Sequence, residues 1–177
     1  MRLIKEIYRE KDINLLGKQI YREAVRGIIK RGNKLLMIYS SKQGDYKFPG
    51  GGVNRGETYQ EALIREVREE CGARVTSICS DFGEIIEYAI PIEREFDVFK
   101  MTSYYFICEV DPILEEQRLD EYEKKLGFIP VWIDIDIAIK ANIELINNKA
   151  TDAPKWTQRE VIVLKLIKTD FTDTNQV

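Results

Sequence analysis

The sequence predicts an α/β sandwich built on a mixed β-sheet, and three observations predict it. Runs rich in β-branched and aromatic residues recur at 24–29, 34–39, 84–90, 96–109 and 129–134. Helical periodicity falls between them at 58–71, and again after them near 136–147 and 157–168. A glycine-rich stretch, 40–56, carrying Pro49, runs directly into the first of these helices.

Taken in order, residues 3–8 (LIKEIY) suit a strand, so 1–19 is expected to be an added N-terminal strand. The runs at 24–29 and 34–39 form a hairpin about Arg31-Gly32-Asn33. A short strand is expected at 46–48 inside the loop. The helix at 58–71 stops at Gly72, where left-handed backbone geometry favours glycine. The charged stretch 114–125 is expected as a surface loop with some helical character. Thr157, with Glu160 three residues on, is expected to form a capping box for the last helix. Residues 170–177 read as a polar tail, and 1–177 as one domain, since a chain of 177 residues suits one core.

Composition narrows the function. With 27 basic and 30 acidic residues the net charge is −3, so the strongly basic surface typical of nucleic-acid binding is not expected. No apolar run reaches the roughly 18 residues of a membrane span, and charges interrupt the N-terminus too often for a signal peptide. A cytoplasmic protein is expected. Cys71, Cys79 and Cys108 lack CxxC spacing and read as buried free thiols in a reducing compartment. The chain has no histidine. That excludes Ser-His-Asp and Cys-His catalysis and histidine zinc ligands, and leaves carboxylates, lysine, tyrosine or water, which points to hard cations such as Mg²⁺ or Mn²⁺.

The segment 51–73, GGVNRGETYQEALIREVREECGA, has the geometry for that chemistry. At 3.6 residues per turn Glu66, Glu69 and Glu70 share one helical face. Leu63, Ile64, Val67 and Cys71 fall on a neighbouring face and are expected to be buried, while the small Ala62 leaves the acidic face open. Three clustered carboxylates repel one another unless a cation intervenes, and a divalent ion is the natural counter-charge.

The same segment resembles the signature of the Nudix hydrolases. Gly51, Glu57, Arg65, Glu66, Val67, Glu69, Glu70 and Gly72 stand at its fixed positions, and Ala73 departs from it in being smaller than the usual aliphatic. Phe48-Pro49-Gly50-Gly51 is similar to the family's lead-in, and the strand–Trp132–helix pattern carries the likeness over 20–168. The resemblance implies the Nudix fold, a mixed sheet between helices, and metal-dependent hydrolysis of a diphosphate linkage in a nucleoside diphosphate derivative. Its substrate would be a nucleoside triphosphate, oxidised forms included, or a nucleotide sugar such as ADP-ribose. It implies Glu66 and Glu70 as principal ligands of Mg²⁺ or Mn²⁺, Glu69 as a ligand or water-mediated partner, and the Gly50 carbonyl in the inner shell. Glu57 and Arg65 would brace loop and helix through a salt bridge. The general base is either Glu66 or a glutamate from the loop ahead of Trp132, where Glu121 and Glu123 are candidates and Glu123 has the better spacing. Arg22, Arg26, Lys42 and Lys47 are expected to flank the cleft, with Tyr46, Phe96 or Tyr104 against a base. The partner is a small nucleotide, not a nucleic acid or a membrane, and a homodimer stays open. The alternatives are a nucleotide-binding Nudix domain without turnover and, with no supporting motif, an isoprenoid diphosphate isomerase.

Overall fold

The computed structural model describes residues 1–148 and 153–173. Its strands are β1 (Leu3–Tyr8), β2 (Gln19–Arg31), β3 (Lys34–Ser40), β4 (Tyr46–Lys47), β5 (Val75–Ala89), β6 (Val98–Val110) and β7 (Phe128–Asp134). Its helices are α1 (Tyr59–Cys71), α2 (Glu121–Leu126), α3 (Ile135–Asn147) and α4 (Thr157–Asp173). The strands order as β1-β5-β6-β2-β3-β4, with β7 on β3. The sheet is mixed, because β1–β5 and β2–β6 run parallel and the other pairs antiparallel. The long β2 joins the two halves: it pairs with β6 up to Ile29 and closes the hairpin onto β3 at Lys30 and Arg31.

Successive side chains on a strand face opposite ways, and β2 uses both faces. Val25 and Ile29 pack with Leu36 and Ile38 against Leu63, Val67 and Cys71 of α1. Ile28, on the other side, joins Phe48, Tyr105 and Val163, Leu164 and Ile167 of α4. The sheet is thus buried on both faces, with α1 on one and α4 on the other. Cys79 is exposed on β5 and Ile64 is 44% exposed, both contrary to expectation. The face of α1 that meets the sheet is centred on Leu63 and Val67, and Ile64 lies one step of about 100° outside it.

Elsewhere the elements differ from the expected ones for local reasons. β5 begins at Val75, well before the expected 84, in a polar stretch (VTSICSDFG) whose pairing with β6 carries three register shifts. Such irregular, half-solvated pairing leaves no clean alternation to read. The 114–125 stretch holds α2, which Asp120 caps by accepting from the Glu123 amide at 2.8 Å. The expected capping box at Thr157 is absent. The Thr157 hydroxyl is buried without a partner among the described residues, and the Glu160 carboxylate instead accepts from the Phe48 amide at 3.0 Å and from Arg159. Tertiary partners claimed the side chain that local capping would have used. Helix α4 runs to Asp173, past the expected start of the tail, and 174–177 lie outside the described residues.

Gly72 ends α1 in the left-handed region, at φ 62°, and a Cβ there would meet the Glu115 carbonyl oxygen at 1.9 Å. Gly72→Ala therefore adds a backbone clash to the left-handed penalty of about 1–2 kcal/mol. It is expected to lower Tm by more than about 4 °C, read by thermal unfolding.

Candidate active site

The site forms where α1 meets the loop that follows β4. That loop is tied to β2 by the amides of Val25 and Gly27, which donate to the carbonyls of Gly51 at 2.9 Å and Pro49 at 2.8 Å. Gly50 between them has φ 138°, and a Cβ would lie 2.0 Å from the Val25 carbonyl oxygen, so only glycine lets loop and strand approach this closely. The Gly50 amide donates to the Glu70 carboxylate at 2.7 Å, and Lys47 pairs with its other oxygen at 2.5 Å. The Gly50 carbonyl, expected in a metal's inner shell, accepts here from the buried Arg26 guanidinium.

Glu66 and Glu70 are buried, and Glu123 reaches over from α2. One carboxylate oxygen from each of the three lies within 4.8 Å of the others. Burial pushes the Glu66 carboxyl up, with Arg65 opposing and Glu70 adding to the rise. Burial also pushes Glu123 up to about 7, and the charge of Glu70 reinforces it. The donor set is all carboxylate oxygen, and Lys47 is bonded to it from the cleft side. Hard, oxygen-coordinated divalent ions fit such a group.

Glu69 stands apart from this trio. It is turned toward Arg65, 3.2 Å away, and its side chain is 42% exposed. Arg65 is the hub of the helix–loop junction, donating to Glu57 at 2.8 and 2.9 Å, to Glu66 at 2.7 Å and to the Gly52 carbonyl at 2.9 Å. The hydrogen bonds from Arg65 hold the Glu57 carboxyl down at about 2, against an ordinary 4.5. A depressed folded-state pKa contributes stability above pH 4.5 that is lost as pH falls toward 2. Glu57→Gln is expected to melt below the wild type at pH 7. The gap should close as the pH is lowered from 5 to 2 in a series of melts, and a constant gap would place the effect elsewhere.

The three glutamates line a cleft of about 580 Å³. Arg22, Ala24 and Arg26, alternate residues of β2, face into it, as do Lys47 and Gly50. Glu87, Phe99, Met101, Trp156 and Arg159 line it as well. Glu87 is clamped between two arginines: Arg159 reaches one oxygen at 2.6 Å, and Arg9, just beyond β1, donates to the other. Burial opposes the Glu87 charge, but Arg159 and Arg9 outweigh it and hold the carboxyl below its ordinary range. Burial pulls the Arg26 guanidinium down, and its Nε has no partner among the described residues. The cleft therefore brings a cluster of carboxylates together with four arginines, Arg9, Arg22, Arg26 and Arg159.

Four residues expected at the cleft, Lys42, Tyr46, Phe96 and Tyr104, lie outside it. Lys42 is solvent-exposed, its amide bonded to the Leu126 carbonyl. Tyr46 packs on the core and on Tyr39, with its backbone held by Asn142. Tyr104 stacks on Tyr59 and donates to Glu23, and Phe96 lies under Lys18. Glu121 is exposed on α2 and pairs with Lys124. Arg9, Glu87, Phe99, Met101, Trp156 and Arg159 line the cleft without having been expected there from the sequence. Period-two alternation in β5 and β6 could have flagged Glu87, Phe99 and Met101; no local signal marks Arg9, which reaches the cleft only because β1 adds to β5.

A mixed sheet between helices, with clustered carboxylates facing arginines across a cleft, defines a class of hydrolases acting on phosphoanhydride bonds. The chain belongs to the Nudix family: the NUDIX domain matches residues 20–159. It is 30% identical over 122 residues to an RNA pyrophosphohydrolase of a Nitratiruptor species, covering 64% of this chain and 77% of that one. It is 37% identical over 75 residues to an ADP-ribose pyrophosphatase of Methanocaldococcus jannaschii, covering 40% of this chain and 44% of the relative's length. Among solved structures it resembles a NUDIX hydrolase from Nitrosomonas europaea, with a TM-score of 0.53 and 19% identity over 80% of this chain and 86% of that one. It also resembles an ADP compounds hydrolase, with a TM-score of 0.54 and 18% identity over 88% and 76% of the two chains. At these identities the structural likeness is one of fold. Among the described residues no helix is long and apolar enough to cross a membrane.

Proposed function

We propose that this Nudix hydrolase cleaves a diphosphate linkage in a small nucleotide, with Glu66 and Glu70 holding a divalent cation, Mg²⁺ or Mn²⁺, and Glu123 beside them. The convergence of their oxygens within 4.8 Å, from two separate helices, carries this reading. When bound, the cation supplies Lewis acidity and neutralises charge developing on the phosphoryl oxygens. Arg22 and Arg26 bind the diphosphate along β2. Arg65 holds Glu66 in place, and Glu57 and Glu69 hold Arg65, so Glu69 acts as a brace. Glu123 accepts the proton of the attacking water: one of its oxygens is tied to the Asp120 amide at 2.8 Å, which orients the other. Lys47 covers the charge of Glu70 from the cleft side.

The substrate is a nucleoside triphosphate, including oxidised forms, or a nucleotide sugar such as ADP-ribose, and the enzyme works in the cytoplasm. Two observations support a small substrate: the net charge of −3, and a cleft of about 580 Å³, within the range of small-molecule sites. The test is turnover on a panel of nucleoside triphosphates, ADP-ribose and RNA with a 5′-triphosphate, with Mg²⁺, Mn²⁺ or chelator, reading phosphate and mononucleotide. Metal-dependent release from at least one small nucleotide is expected. Inactivity across the whole panel would point to a nucleotide-binding domain without turnover, and a tenfold preference for RNA in kcat/KM would overturn the ranking.

A further inference from the structure

Glu70 is the most deeply buried of the three clustered glutamates, and both of its oxygens are taken. The Gly50 amide donates to one at 2.7 Å, and the Lys47 ammonium sits 2.5 Å from the other. These two partners differ in freedom. The Gly50 amide belongs to a loop that the amides of Val25 and Gly27 pin to β2, so it cannot retreat without breaking those bonds. Lys47 is held by its backbone in β4, and its four-carbon stem lets the ammonium move while the strand stays in place. The ammonium also lies 4.4 Å from the centre of the Phe128 ring, an aromatic face on the wall of the cleft.

Lys47 stands where a cation is called for. Its side chain is 12% exposed and that of Glu70 1%, so the pair is largely out of water. The ammonium gives Glu70 the counter-charge that Arg65 gives Glu66 at 2.7 Å. Among the described residues the Glu123 carboxylate has no basic partner and accepts only from the Asp120 amide. A divalent ion on the Glu70 oxygen that Lys47 holds would lie within about 5 Å of the ammonium, and two cations that close in a half-dry site repel strongly. One of them has to leave, and Lys47 is the one that can.

We infer that Lys47 is a built-in stand-in for the divalent cation: it neutralises Glu70 in the metal-free protein and leaves Glu70 for the cleft when the ion binds. The inference rests on the proposed function, which makes Glu70 a ligand. Lysine and ion then compete for one carboxylate oxygen, so Lys47 sets the metal affinity of the site. By linkage, the factor by which Lys47 weakens metal binding equals the factor by which the metal weakens the Lys47–Glu70 pair. The exchange also imposes an order. The ammonium is tied to Glu70 until the metal is in place, and only afterwards is it free in the cleft that Arg22 and Arg26 line.

The test needs neither turnover nor substrate, and its first arm uses the unaltered protein. Lysines are methylated with formaldehyde and cyanoborohydride in chelator or in millimolar Mg²⁺, and mass spectrometry of the peptides reads the rate at each site. Lys47 is expected to react at least about fivefold faster with Mg²⁺, while the exposed Lys11 and Lys140 keep their rates. The second arm titrates Mn²⁺ by electron paramagnetic resonance. Lys47→Met, neutral and of similar length, is expected to bind Mn²⁺ at least about fivefold more tightly than the unaltered protein. It should also melt lower in chelator, with the gap narrowing in Mg²⁺. Bound Mn²⁺ with equal or slower methylation of Lys47 would overturn the inference and leave the hydrolase reading standing. Unchanged or weaker Mn²⁺ affinity in a folded Lys47→Met would do the same. No Mn²⁺ binding by the unaltered protein would remove the cation from the proposed function and this inference with it.

Discussion

Glu123→Gln is expected to lose on the order of 10²–10⁴ in kcat while the Mg²⁺ concentration for half-maximal activity changes little. The carboxylate is half-buried, is pushed up to about 7 and has one oxygen fixed by the Asp120 amide. It is therefore suited to take a proton near neutral pH, and the neutral amide of Gln keeps the shape but cannot. Single-turnover rates with saturating metal check this. Recovery of activity at higher Mg²⁺ would show that Glu123 is chiefly a ligand, and near-normal turnover would leave Glu66 as the base. Glu121→Gln is the internal control, since Glu121 is exposed and outside the cluster.

Glu70→Gln is expected to have a still broader effect. Glu70 is 1% exposed and joins the α1 end of the site to the Gly50 amide and to Lys47. Removing its charge takes away a proposed ligand and leaves Lys47 without its partner, a class of change that costs about 3 kcal/mol or more when a buried pair is broken. Activity should fall by at least about 10³-fold, and Tm by about 6–12 °C. Millimolar Mg²⁺ should raise the Tm of the unaltered protein by mass action, and that rise should be lost in Glu70→Gln. An equal Mg²⁺-dependent rise in both proteins would place the cation elsewhere.

The α/β class, the hairpin at Gly32, the stop at Gly72 and the helix that carries Glu66 and Glu70 were all legible in the sequence. Each rests on contacts within a few residues: a turn, a cap, a helical face. The Glu57–Arg65 bridge was legible for the same reason, since eight residues separate loop from helix and the signature fixes both. The remaining features depend on pairing across the chain and came only with the folded arrangement. Glu69 shares a helical face with Glu66 and Glu70, yet Arg65 draws it away, because a guanidinium with several donors binds whichever carboxylates surround it. Glu160 was assigned to a local cap but serves Phe48, 112 residues away, because an unpaired buried amide costs more than an unmade cap at a helix start. Glu123 was a candidate from its spacing to Trp132, but only the fold of α2 against the cleft brings it to Glu66 and Glu70; Arg9 and Trp156 enter by β1 joining β5 and by the approach to α4. Helical and strand periods record which residues share a face; which distant face that one meets is recorded only in the packing.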